Sequence, residues 1–346
     1  MSRGLFVCVD LSYHEMAMIY YVTGATGFLG SRVVEKLLER GEKVIAFGRN
    51  LDELKRLDQL GARFVRADLT DRRALSETVP EGACVIHCAA LSTPWAKESA
   101  YYKTNVLGTQ LLASVALENR VSRFIHVSTA NVYAELKSRE GIKESDPLPT
   151  EMLSMYAKSK LQAESIIDQY VEMGLPAITL RPSGIIGPKD HLIIPRLLRL
   201  ASKGFVPVLD ASVRVDLVYI DNVVEAIFKA VEADDDFIGN KYNITNGEPM
   251  TLIDTLESML NQMGYPVKRR TFKVDTAFKI ASFFEWVYRK LPIKGEPILT
   301  RFAVQALAYT RTLNIENAKN ELGYRPVVPM QEGLKRVIQW FGRSGF

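Results

Sequence analysis

Tyr156 and Lys160 stand four residues apart in a segment, 151–173, whose pattern predicts one helix, so both side chains share a face. A neighbouring ammonium favours phenolate, which predicts a tyrosine pKa below its usual ~10 and a general acid/base near working pH. More hydroxyls lie upstream. Arg123-Phe-Ile-His-Val-Ser-Thr129 reads as a buried strand ending at Ser128 and Thr129. A hydroxyl at the carboxyl end of such a strand can hold a carbonyl oxygen as charge develops on it. The third group is Thr23-Gly24-Ala25-Thr26-Gly27-Phe28-Leu29-Gly30, between an apolar run at 18–22 and an amphipathic run at 31–40. Strand, glycine turn and helix is the setting of a dinucleotide site. The first glycine turns the chain, the second admits the pyrophosphate and the third lets helix and strand pack, with phosphates on the helix N-terminus.

These groups need a sheet to position them. Apolar runs at 43–47, 62–66, 83–88, 122–128 and 177–181 read as buried strands, and periodic segments at 28–40, 51–59, 71–79, 99–118 and 151–173 as helices. Such alternation predicts a doubly wound α/β fold with a parallel sheet. Beyond Ser183 the pattern loosens, with turn signals at Gly184, Gly187-Pro188, Gly204, Pro207 and 246–249.

With the glycine turn, the strand-end hydroxyls and Tyr156-Ala-Lys-Ser-Lys160 in this order, the chain from Met18 onward resembles the extended short-chain dehydrogenase/reductases. Lesser matches are Ile86-His-Cys-Ala-Ala90, Asn105-Val-Leu-Gly-Thr109, Leu180-Arg-Pro-Ser-Gly-Ile-Ile-Gly-Pro188 and Val218-Tyr-Ile-Asp-Asn-Val223. The resemblance implies a Rossmann-type sheet with a seventh strand near 241–245, and a smaller, mainly helical C-terminal lobe. On that basis the nucleotide domain covers 18–182 and 213–246, and the substrate lobe 183–212 and 247–346. It also implies catalytic roles for Thr129 with Ser128 beside it, Tyr156, Lys160 and Asn105, with Lys160 also binding the nicotinamide ribose. Cofactor contacts fall to Gly24, Thr26, Gly27, Phe28, Leu29, Gly30, Arg49, Asp68, Leu69, Ala89, Ala90, Tyr156, Lys160, Pro182 and Ile185.

The end of the second strand bears on the cofactor. Gly48 stands where NAD-using relatives often carry Asp, and Arg49 follows. A carboxylate there would repel a 2′-phosphate and a guanidinium would bind it, so NADP is expected, with NAD the alternative. For the substrate, Gly184 takes the place where nucleotide-sugar enzymes carry an asparagine. The 215–226 and 311–326 segments are similar to the 3β-hydroxysteroid dehydrogenase branch, which implies a ketone or secondary alcohol on a lipophilic, steroid-like or β-keto/β-hydroxy compound. Ser92, Trp95, Ile186 and Phe284 are the expected wall residues. A nucleotide-sugar epimerase or dehydratase holding NAD is the alternative, and a non-catalytic NADP-binding regulator the second; Tyr156 and Lys160 speak against the latter.

The segment Thr276-Ala-Phe-Lys-Ile-Ala-Ser-Phe-Phe-Glu-Trp-Val-Tyr-Arg-Lys290 is helical in length and apolar on most of its circumference. A core helix, a lid over an apolar pocket and a membrane-surface contact aided by Lys279, Arg289, Lys290 and Lys294 are its three placements. The 44 Lys and Arg are interspersed with 40 Asp and Glu in 346 residues, with no basic stripe, which excludes a nucleic-acid tracker. Cys8, Cys84 and Cys88 give no disulfide framework, and the four histidines have no metal-ligand spacing, so no metal is expected and a reducing cytoplasm fits. Residues 1–17 read as an extension ahead of the fold, too short in their apolar run for a signal peptide or membrane span. A homodimer is open.

Overall fold

The computed structural model describes residues 18–93, 95–291, 293 and 295–343; the extension, with Cys8 and His14, lies outside them, as does Lys294. Seven parallel strands form the main sheet: β1 (Ile19–Thr23), β2 (Lys43–Gly48), β3 (Arg63–Arg66), β4 (Cys84–His87), β5 (Arg123–Val127), β6 (Ala177–Pro182) and β7 (Lys241–Ile244). Their order is β7-β6-β5-β4-β1-β2-β3, and it reverses direction at β1. Every residue of β4, β5 and β6 is buried, which is why these strands read as continuous rather than alternating apolar runs.

Helices cover both faces. On one, α1 (Phe28–Glu39) meets β1 and β2 through Val33, Val34 and Leu37. α2 (Leu51–Gln59) is capped by the Asn50 side chain and α3 (Arg72–Thr78) by Asp71. α4 is α-helical over Glu98–Tyr101, π-helical over Tyr102–Leu107 and α-helical again over Gly108–Glu118. α5 (Met155–Glu172) begins four residues later than the pattern predicts, because the Ser154 hydroxyl accepts from the Ala157 amide and fixes the start there. α4 and α5 cover the second face with Leu112, Ala116 and Ile167.

Next come α6 (Ile193–Ala201), α7 (Ile220–Val231), α8 (Leu252–Gln262), α9 (Val274–Lys290), α10 (Arg301–Ala308), α11 (Glu316–Glu321) and α12 (Met330–Arg343). α6, α8 and α12 share a separate core through Leu198, Ile253, Met259 and Val337. α7 instead packs on α1, where Asp221 receives Arg32 at 2.6 Å. The C-terminal tail needs a correction. Ile315, Ala318, Leu322 and Tyr324 belong to the main core rather than to the lobe, and the Tyr324 hydroxyl donates to the Thr245 carbonyl at 2.9 Å. Asn222 holds the same tail by accepting from the Val327 and Val328 amides. A small sheet joins 250–251, 214–215, Arg311–Leu313 and Arg139–Ile142 in that order, tying the lobe to the loop after β5.

For α9 the structure removes one of the three placements. The segment is a helix, but only Ala277, Ala281 and Glu285 are buried; Ile280, Phe283 and Trp286 are 45%, 60% and 58% exposed, so it is not a core helix.

Candidate active site

The carboxyl ends of the sheet strands open into one cavity of about 700 Å³ that reaches from the glycine turn to α8 and α10. The turn is built by close backbone approach. Gly24 has φ +67, and a Cβ there would lie 2.6 Å from the Ala89 amide nitrogen; a Cβ on Gly30 would lie 2.2 Å from the Gly24 carbonyl oxygen. Only glycine fits either place. No side chain caps α1, whose first residues line the cavity, so the helix N-terminus faces it with its amides uncovered. That donor set fits a pyrophosphate.

Gly24, Thr26, Gly27, Phe28, Leu29, Gly30, Arg49, Asp68, Leu69, Ala89, Ala90, Pro182 and Ile185 all line this cavity, as do Ser92 and Ile186. Gly48 ends β2 against the Thr26 side chain, where a Cβ would lie 2.7 Å away. Arg49 is 3.5 Å from Asp68 and largely exposed at the rim. The Asp68 carboxylate is held low by the Thr70 hydroxyl and amide, with Arg49 adding to this. Trp95 and Phe284 do not line the cavity. Trp95 packs edge-on against Tyr288 with Arg289 over its ring, and Phe284 tilts against Phe283.

Tyr156 and Thr129 both line the cavity. Thr129 sits at the end of β5, its Oγ1 accepting from the Asn131 amide at 3.2 Å. Ser128 lines the cavity as well, but its hydroxyl is engaged. Its hydroxyl donates to Glu164, one turn beyond Lys160 on α5, and Glu164 in turn binds Arg181 with Nη2 at 2.6 Å, both residues buried. Thr129 is therefore the hydroxyl available to a ligand.

The expected depression of the Tyr156 pKa is not found. Burial pushes the phenol up to about 12, the Thr129 hydroxyl opposing it only in part. Lys160 does not reach the cavity wall. It is 1% exposed, its Nζ lies 3.4 Å from His126 Nε2, and burial lowers it to about 8 against the pull of Glu164. Spacing on the helix said nothing of depth, and desolvation governs the phenol. A phenol that keeps its proton at neutral pH is in the state a proton donor requires.

Behind the site the two strand histidines are neutral. His87 is bonded on both nitrogens, by Thr23 at 2.7 Å and Thr109 at 2.9 Å, and burial drives it down to about 3. His126 is lowered by burial and by Lys160. Asn105 is fully buried in the π-helical stretch. It accepts from the Leu91 amide at 2.7 Å and donates to the Leu91 carbonyl and to Ser159 Oγ, so it fastens the loop after β4 to α5 without touching the cavity. Two residues near the reacting groups were given no role from the sequence: Asn131, in a short 3₁₀ turn, and Arg311, the first residue of the 311–326 segment, whose Nη2 donates to Asn131 Oδ1 at 3.0 Å. Glu164 had one, its spacing of four from Lys160.

The NAD dependent epimerase/dehydratase family matches residues 20–245. The chain belongs to that family. It is 32% identical over 91% of its length, and 97% of the relative's, to a 2-alkyl-3-oxoalkanoate reductase from Stenotrophomonas maltophilia. It is 29% identical to the mouse (Mus musculus) decarboxylating sterol-4-alpha-carboxylate 3-dehydrogenase, over 92% of this chain and 90% of that one. Among solved structures, DesIV of Streptomyces venezuelae, a dTDP-glucose 4,6-dehydratase with NAD and TYD bound, superposes with a TM-score of 0.73 at 28% identity, covering 94% of this chain and 97% of that one. This family member is an NAD(P)-dependent dehydrogenase/reductase of the extended short-chain type. Among the described residues no helix is long and apolar enough to cross a membrane.

Proposed function

We propose that the protein interconverts a ketone and a secondary alcohol on a lipophilic, β-keto/β-hydroxy or steroid-like substrate, with NADP as its cofactor. The observation that carries this reading is the cavity's far end. Beyond Thr129 and Tyr156 its walls include Leu217, Leu252, Leu256, Met259 and Leu334, with Thr255, Asp216, Gln305 and Arg311 among them, and Gly184, where the resemblance puts a sugar-nucleotide enzyme's asparagine, presents no side chain. Burying an alkyl chain against each apolar wall residue stabilises a complex by roughly 1.5–3 kcal/mol. A ketoreductase and a sterol dehydrogenase among the relatives support the same class.

The bound nicotinamide supplies or accepts the hydride. In the reducing direction Tyr156 gives its proton to the carbonyl oxygen while the Thr129 hydroxyl orients that oxygen. Lys160, from behind, carries positive charge that favours the phenolate left after transfer. Tyr156→Phe removes the proton and keeps the ring, so turnover should fall by about a hundredfold or more with NADPH affinity nearly intact. Retention of most turnover would assign the proton to another group.

A further inference from the structure

Arg311 is charged, enclosed and unpaired. It sits on the strand Arg311–Leu313 and lines the cavity. Nη2 donates to Asn131, but Nη1 is shielded from solvent and has no partner, and no ion pair to this residue is formed among the described residues. Asp216 is not its counter-ion. Its Oδ2 accepts from the Leu313 amide at 2.9 Å, and the cation acting on it is Arg214. Burial pulls the guanidinium down only to about 10, so it stays protonated at neutral pH. Burying a lone cation costs several kcal/mol unless an anion joins it.

Its position says where that anion would lie. The link Arg311–Asn131–Thr129 ties the guanidinium to the hydroxyl residue at the end of β5, and Arg311, Thr129 and Tyr156 line the same cavity. We propose that Arg311 seats a carboxylate carried by the substrate beside its reacting carbonyl or alcohol, so that the substrate is a 3-oxo or 3-hydroxy acid rather than a neutral ketone. A planar guanidinium matches a carboxylate in shape and charge. Of the arginines that line the cavity, Arg49 lies beside Asp68 and Arg196 pairs with Glu296, which leaves Arg311 without a carboxylate among the described residues. One such cation fits a single anionic head on an alkyl body, whereas a sugar diphosphate brings two phosphates. The inference rests on the ketone–alcohol reading and names its substrate more closely.

The test compares a 2-alkyl-3-hydroxyalkanoic acid with its methyl ester, oxidised with NADP, in wild type, Arg311→Met and Arg311→Lys. Wild type should favour the acid by about a hundredfold in kcat/KM. Arg311→Met should bring the two substrates within a few-fold of each other, and Arg311→Lys should restore part of the gap. A wild type indifferent to esterification, or an Arg311→Met that slows both substrates by one factor, overturns the carboxylate seat. Titration calorimetry of the acid onto the NADPH complex separates the two readings. Binding of the acid that weakens at least tenfold in Arg311→Met, without turnover, keeps the seat and removes the hydride-transfer reading. Binding unaffected by Arg311→Met, or Arg311-dependent binding of dTDP-glucose with none of the acid, removes the seat.

Discussion

Lys160 is buried beside two neutral histidines, and its pKa stands at about 8 against an ordinary 10.5. The unfolded chain therefore binds more protons than the folded one between these values, so stability rises with pH across that window and the full cost of burying the cation applies below it. Lys160→Met removes the cost, while Glu164 remains paired with Arg181. The variant should melt a few degrees above wild type at pH 7, with the gap closing as pH rises from 8 toward 10.5, and should lose turnover. Melting curves across that range decide it; a variant less stable at pH 7 would show that Lys160 is held by attraction. Arg49 poses the other question at this scale. It stands at the end of β2, where Gly48 leaves no carboxylate, and its partner Asp68 is only loosely engaged at 3.5 Å. Fluorescence titration should show NADPH binding more tightly than NADH, and Arg49→Ala should narrow the difference by about tenfold. Equal affinities in the wild type would end the NADP assignment.

At the level of elements, the glycine turn makes an ordering testable. Gly30→Ala drives a methyl to 2.2 Å from the Gly24 carbonyl, against fixed backbone, whereas the same change at Gly27 meets that carbonyl at 3.3 Å. Gly30→Ala should lower the melting temperature markedly and weaken NADPH binding, and Gly27→Ala should be much less destabilising. Similar melting temperatures for the two would mean the turn relaxes. The turn, the parallel sheet and the Tyr–Lys helix were legible because each depends on local spacing: three glycines, apolar runs, a helical period. The unread parts depend on what comes to lie beside them. Tyr156 looked like a group tuned by its neighbour until its depth was known. Arg311 lies far in sequence from Asn131, the one hydrogen-bonded partner of its guanidinium among the described residues, and no pattern joins them. The tail after Asn314 read as lobe because nothing in its composition points at Asn222 and Thr245.

For the molecule as a whole, the face of α9 is the feature that folding leaves unresolved. Ile280, Phe283 and Trp286 are exposed together, Phe283 stacking on Trp286 with centroids 6.3 Å apart. Exposed Leu291 follows the helix, and exposed Lys279 and Lys290 lie among these apolar residues. Aromatic rings with lysines at their margin are complementary to an anionic bilayer surface, where the rings enter the headgroup boundary and the ammonium groups meet lipid phosphates. A membrane-side face would also suit a lipophilic substrate. The full chain should therefore co-sediment with vesicles rich in phosphatidylserine, less with phosphatidylcholine alone, and less again as salt screens the charges. Phe283→Ser with Trp286→Ser should abolish co-sedimentation while leaving turnover of a water-soluble substrate in place, since neither residue lines the cavity. Equal recovery with both lipids would reduce the contact to its apolar part. No recovery with either, together with a concentration-dependent dimer that the double change dissolves, would assign the face to a second copy of the chain.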